Sequence, residues 1–172
     1  MAASGNPLGS GPRRVLGIDL GDRRIGVAIG DTQTRTAMPF TTLSRGKSVT
    51  DDAAILSRIG AEQGAEALVV GLPINMDGSE GHQAARTREW AEAVSAASGL
   101  SLRFRDERLT SERAENRVGN PPRGRSGGPP GAAQREAYRA RVDREAAALI
   151  LQDDLDATND AMTNDDAHRR TS

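Results

Sequence analysis

The sequence predicts an α/β domain built on a mixed five-stranded sheet flanked by helices. Two apolar runs, "RVLGIDL" and "RIGVAIGD", stand on either side of a glycine-bearing turn, the pattern of a β-hairpin. Ala67–Leu72 is almost purely apolar, as expected of a central strand covered on both faces. After the first strands, helix-period and strand-like segments alternate, which favours parallel pairing through helical crossovers. A chain of 172 residues can bury a core unaided, and with no cysteine it has neither disulfides nor thiolate metal sites.

Taken in order, residues 1–13 are rich in Gly, Ser and Pro and are expected to be disordered. Val15–Leu20 reads as the first strand, Gly21–Arg23 as a tight turn and Arg24–Gly30 as the second strand. Thr36–Ser44 is a third strand, and Pro39 assigns it to an edge or a bulge. Thr50 is the expected cap of a helix with Asp51 and Asp52 in its first turn. Ala67–Leu72 forms the fourth strand, and "GLPINMDGSEGHQ" leads as a loop into a helix over about 80–98, closed by Gly99. Leu100–Arg105 is the fifth strand, and the second half of "DERLTSERAENRV" is helical. Pro121–Gly131 is too rich in Pro and Gly to pack and reads as a mobile basic loop. Ala132–Asp156 is the last helix, followed by a polar tail over 157–172. The order is β-β-β-α-β-α-β-α, with one domain over 14–156.

The formal net charge of -1 hides an asymmetry. From Arg103 to Arg144 there are eleven arginines against six acids, and from Glu145 onward seven acids against two arginines. A basic middle beside an acidic tail suggests an anionic partner held on one face; the bland alternative is a solvated arginine-rich surface. No segment is apolar enough for a signal peptide or a membrane span, so the protein reads as cytoplasmic.

Three acids from distant segments fall where α/β sheets gather their sites, at or beyond the carboxyl ends of strands. Asp19 lies at the end of the first strand, Asp106 and Glu107 just past the fifth, and Asp143 at the start of the apolar part of the last helix. An ionised carboxylate on a buried strand is costly. Three together would repel and titrate high, and a divalent cation would relieve them. Oxygen-only donors favour Mg²⁺ or Mn²⁺. The chemistry that fits is phosphodiester hydrolysis at paired metal ions, bridged by Asp19. Each acid also has a plain structural reading. Asp19 could brace the turn, Asp106 or Glu107 could pair with Arg105 or Arg108, and Asp143 could favour a helix N-terminus.

The stretches "LGIDLGDRRIGVAIGD", "VVGLPINMDGSEG", "DERLTS" and "VDREAAALILQDDLD" appear in this order across nearly all of Val15–Leu155. In them the chain resembles the YqgF/RuvX family of RNase H-like nucleases, also called Holliday-junction-resolvase-like proteins. The resemblance implies an RNase H-like fold with acidic site residues at Asp19, Glu107 and Asp143. It also implies a bacterial role in maturing the 5′ end of small-subunit ribosomal RNA, with cleavage of branched DNA as the alternative. Glu107 is preferred to Asp106 as the metal ligand because its longer side chain can reach back to the site. The segment before Asp143 is longer than the short basic run usual in the family and carries arginine in place of lysine.

Arg23, Arg24 and Arg108 are candidate phosphate contacts, with surface ion pairing as the alternative. Asn75, Gly78 and Ser79 could hold phosphate at a helix N-terminus, or simply shape and cap the turn. Arg123, Arg125 and Arg141 complete the candidate substrate-binding set. His82 reads as a surface residue and Trp90 as core or an exposed patch. Aromatics make up only 2% of the chain, which points to binding through backbone phosphates rather than base stacking. The partner is therefore nucleic acid, bound by a monomer or homodimer. A non-catalytic nucleic-acid-binding module is the second hypothesis. A sugar-kinase or actin-like ATPase is a third, for which one short domain offers no second lobe.

Overall fold

Alternating side chains set the first strands and the two cores they feed. The computed structural model describes residues 13–124 and 126–169, with side chains described as far as Thr158. The expected disordered segment 1–13, Arg13 excepted, and the candidate Arg125 lie outside these residues. The strands β1 (Arg14–Leu20) and β2 (Arg24–Asp31) pair antiparallel as the hairpin predicts, and β3 (Thr36–Ser44) pairs antiparallel to β2. Helix α1 (Val49–Gln63) crosses to β4 (Ala65–Leu72), and α2 (His82–Ser98) crosses to β5 (Ser101–Asp106). β4 runs parallel to both β1 and β5. The sheet order is β3-β2-β1-β4-β5, which makes it the RNase H-like mixed sheet of the expected fold class. Pro39 lies on the edge strand beside a bulge that leaves Phe40 without a partner on β2.

Leu16 and Ile18 of β1 pack with Ile25, Val27, Leu68 and Val70 beneath Leu56, Ile59, Trp90 and Val94 of α1 and α2. The other face carries smaller residues. There Val15, Ala28, Ala67 and Val69 meet Ala147, Ile150, Leu151 and Leu155 of α4 (Ala132–Arg169). Each buried Val, Leu or Ile among them contributes roughly 1.5–3 kcal/mol on burial.

Four sequence expectations need correction. The α1 cap is Ser48, whose hydroxyl accepts from the Asp51 N–H while Asp51 accepts from the Ser48 N–H, so Thr50 lies inside the helix. Helix α2 begins at His82 with Gly81 as its cap. The second half of "DERLTSERAENRV" is helical as expected, α3 (Thr110–Val118), packed on α4 through Ala114, Ala146 and Leu149, so what needs correcting is the element order, which ends on two helices rather than one. Helical backbone in α4 runs on to Arg169 rather than stopping at Asp156, since 157–169 contains no Gly or Pro to end it. Between α3 and α4 the described residues form no helix or strand.

The charge asymmetry also resolves differently from the expected separation of charge. Asp154 of α4 is fully buried and holds both Arg103 and Arg105 of β5, while Asp153 and Glu145 hold Arg113 and Arg117 of α3. Much of the arginine excess is therefore spent inside the fold, fastening β5 and α3 to α4.

Candidate active site

Alternation along β1 turns Asp19 to the same side as Val15 and Gly17, the side covered by α4. The reach of α4 to this sheet depends on missing side chains. A methyl on Gly17 would stand 2.6 Å from Leu151 Cβ and 2.7 Å from the Ala147 carbonyl oxygen. A methyl on Gly30 would stand 2.8 Å from Leu151 Cδ2.

The same device builds the site around Asp19. Its cross-strand partner on β2 is Gly26, where a methyl would collide with the Asp143 carbonyl group and lie 3.0 Å from the Arg144 nitrogen. On the other side, β1 and β4 pair at Ile18 and Val70, and the next residue of β4 is Gly71. A methyl on Gly71 would collide with Glu107 Oε2 and Ile150 Cδ1. One glycine thus lets the Asp143 backbone down beside Asp19, and the other leaves room for the Glu107 carboxylate.

Glu107 follows the last residue of β5, and its N–H donates to the Leu72 carbonyl of β4 at 3.2 Å. The chain then turns through Leu109 in the left-handed region, with φ 63°. Such a backbone is uncommon for a leucine. Asp106 faces away: it accepts from the Arg108 N–H at 2.9 Å and from Arg108 Nε at 2.7 Å. Arg108 holds the Asp106 carboxyl below the usual range. Of the two neighbours, Glu107 is the acid that reaches back.

Burial, then Glu107, then Asp143 push the Asp19 carboxyl up to about 8, against the opposing pull of Arg24. Burial, then Asp106, pushes Glu107 up to about 7. No turn N–H contributes at Asp19. The turn closes without it, through the Gly21 N–H on the Arg24 carbonyl and Arg45 Nη1 on the Gly21 carbonyl. Asp143 lies well inside α4, so it does not serve a helix N-terminus.

The expected convergence is therefore electrostatic and incomplete in geometry. Among the described residues, no three acid or histidine side chains are arranged to hold a metal ion as they stand. Asp143 is engaged instead with Arg24, whose Nε donates to Asp143 Oδ2 at 2.5 Å and whose Nη1 donates to Glu136 at 3.0 Å. The donor set still fits a hard divalent cation: all ligands are oxygens, and Asp19 and Glu107 are disfavoured as bare anions by their surroundings.

The other expected contacts divide. Arg23, Arg123 and Arg141 are exposed, and among the described residues none has a carboxylate within ion-pairing distance. Arg24 and Arg108 are engaged with acids. Asn75 Nδ2 donates to Ser79 Oγ, which itself donates to Asp77 Oδ1, so this loop braces itself and puts an acid where an anion would sit. Trp90 is core, its indole N–H donating to buried Asp52 at 2.9 Å. A cavity of about 320 Å³ opens at the same end of β1, lined by Leu20, Arg45, Thr87 and Trp90; Asp19, Glu107 and Asp143 do not line it. Sequence reasoning missed Gly26 and Gly71. For Gly26 the signal was small residues at every second position of β2, Gly26, Ala28 and Gly30.

The profile of the family described as "RuvX: Holliday junction resolvase" matches residues 13–157. A protein of Anaeromyxobacter dehalogenans (strain 2CP-1) named "Putative pre-16S rRNA nuclease" is 43% identical over 143 residues, covering 83% of this chain and 96% of the relative. One of Synechococcus elongatus with the same name is 43% identical over 141 residues, covering 82% and 87%. Among solved structures, Thermus thermophilus RuvC in complex with Holliday junction substrate is similar at a TM-score of 0.48 and 17% identity, covering 85% of this chain and 95% of that one. With a family match spanning most of its length, the chain belongs to the RuvX family.

Proposed function

We propose that this protein is a divalent-metal-dependent nuclease that hydrolyses phosphodiester bonds, acting in the cytoplasm on the 5′ end of pre-16S rRNA. The observation that supports the reading is that Asp143 and Glu107 are let in on either side of Asp19 by Gly26 and Gly71, near enough to raise its carboxyl though not arranged to hold an ion as they stand. The names of the relatives support rRNA as the substrate. The family description keeps a four-way DNA junction as the second reading.

Asp19, Glu107 and Asp143 would hold Mg²⁺ or Mn²⁺, which supplies an activated water and stabilises the leaving oxygen. The chain's own contributions are positional. Gly26 and Gly71 set the distances of Asp143 and Glu107 from Asp19. Arg24 keeps Asp143 paired and, once released, carries its guanidinium to the phosphate. Arg23, Arg123, Arg125 and Arg141 meet flanking phosphates.

The test is a cleavage panel with a pre-16S rRNA fragment, an unstructured RNA and a four-way DNA junction, in Mg²⁺, Mn²⁺ or EDTA. Cleavage of the rRNA fragment is expected, lost in EDTA and in Asp19→Asn. Cleavage that survives Asp19→Asn overturns the assignment.

A further inference from the structure

The helix that carries Asp143 has a row of side chains spaced four residues apart, and such a row forms one continuous ridge. Downstream of Asp143 the row is Ala147, Leu151 and Leu155, all buried against the glycine-lined face of the sheet. Upstream it continues through Arg139 and Arg135, both exposed. The ridge is apolar over the strands, acidic at Asp143, and basic upstream of it.

These two arginines differ from most others in the basic region. Arg103, Arg105, Arg108, Arg113 and Arg117 are each bound to a carboxylate. Among the described residues, no carboxylate lies within 4.0 Å of Arg135 or Arg139. Glu136, the acid nearest in sequence, is held by Arg24, and Arg135 meets only the Pro130 carbonyl at 2.6 Å. Their charges are uncompensated and aligned with the site.

We propose that Arg139 and Arg135 form a phosphate-binding strip that holds the substrate strand beside the active site. The strip rests on the nuclease reading and extends its site along α4. At 1.5 Å per residue, Arg139 stands about 6 Å and Arg135 about 12 Å from Asp143 along the helix. Two successive backbone phosphates of a single RNA strand can therefore be met beyond the cleaved one, without reading any base.

The test is binding of the full chain to a labelled single-stranded RNA in EDTA, across a salt series. Arg135→Gln with Arg139→Gln should weaken binding about tenfold and reduce the slope of log affinity against log salt by about 1.4, the share of two single-strand phosphates. The double lysine variant should keep the wild-type slope, and so should Arg113→Gln, whose arginine is already paired. If the wild type binds and the double glutamine variant keeps its slope, the strip is refuted and the nuclease reading stands. If the effect appears on a four-way DNA junction and not on RNA, the assignment to an RNA strand falls. If the wild type neither binds nor cleaves any nucleic acid, the nuclease reading falls and takes the strip with it.

Discussion

Replacing Gly26 with alanine probes the spacing between β2 and α4 at the point where it matters most. The added methyl would stand 3.0 Å from the Arg144 nitrogen and overlap the Asp143 carbonyl group more deeply still. Relaxed contacts lie near 3.5 Å or beyond, so the helix must back away by about 1 Å at Asp143. A strained core substitution of this kind costs about 1–3 kcal/mol, visible as a lower melting temperature. A displacement of 1 Å at a catalytic group costs on the order of 100-fold in rate. The informative comparison is Gly17→Ala, which presses on Leu151 and Ala147 of the same helix, one to two turns beyond Asp143. Both variants should lose similar stability, with Gly26→Ala losing far more cleavage of the rRNA fragment at a temperature where circular dichroism shows both folded. Wild-type cleavage and an unchanged melting temperature in Gly26→Ala would refute the close approach of α4 and the positional role built on it.

Asp19 titrates near 8 in the folded chain against 3.8 when free, so the folded state holds its proton more tightly, and stability in EDTA should fall as pH rises from about 4 to 8. Asp19→Asn should remove much of that slope and stabilise the fold at pH 8 by on the order of a few kcal/mol, seen as a higher melting temperature; a lower melting temperature would contradict it. Adding Mn²⁺ to the wild type should raise the melting temperature more at pH 8 than at pH 5, a difference lost in Asp19→Asn. Arg24→Gln frees Asp143, so the Mn²⁺ midpoint in thermal-shift titration should drop several-fold while RNA binding weakens; an unmoved midpoint would show that Arg24 does not compete. Asp52→Ala strands the Trp90 and Gly46 N–H groups and should cost about 3 kcal/mol in urea unfolding, with the loss insensitive to Mn²⁺.

The sequence disclosed what depends on local pattern. The hairpin, the buried strand at Ala67–Leu72 and the edge position of Pro39 follow from alternation and from proline's missing N–H. Asp19 was legible because a charge inside an apolar strand needs a reason. Glu107 was preferred over Asp106 by side-chain length; in the fold Asp106 turns to Arg108. Features that depend on distant partners were hidden. Arginine counts suggested a broad basic face, but only the packing of α4 on β5 and α3 reveals which are neutralised. Arg24 and Asp143 are 119 residues apart, and nothing local links them. The pattern points to Thr50 although Ser48 is the cap, because one hydroxyl differs from another only through the backbone that presents it.

The chain-order position of α4 bears on when the protein becomes active. Its first acid arrives on β1 and its last on the final helix, which also covers one whole face of the sheet. During synthesis, a nascent chain that has already paired its strands still lacks Asp143 and leaves that face bare. On the proposed reading, competence therefore arrives late in translation, and a partly made copy tethered to a ribosome lacks the centre with which it would cut the RNA around it.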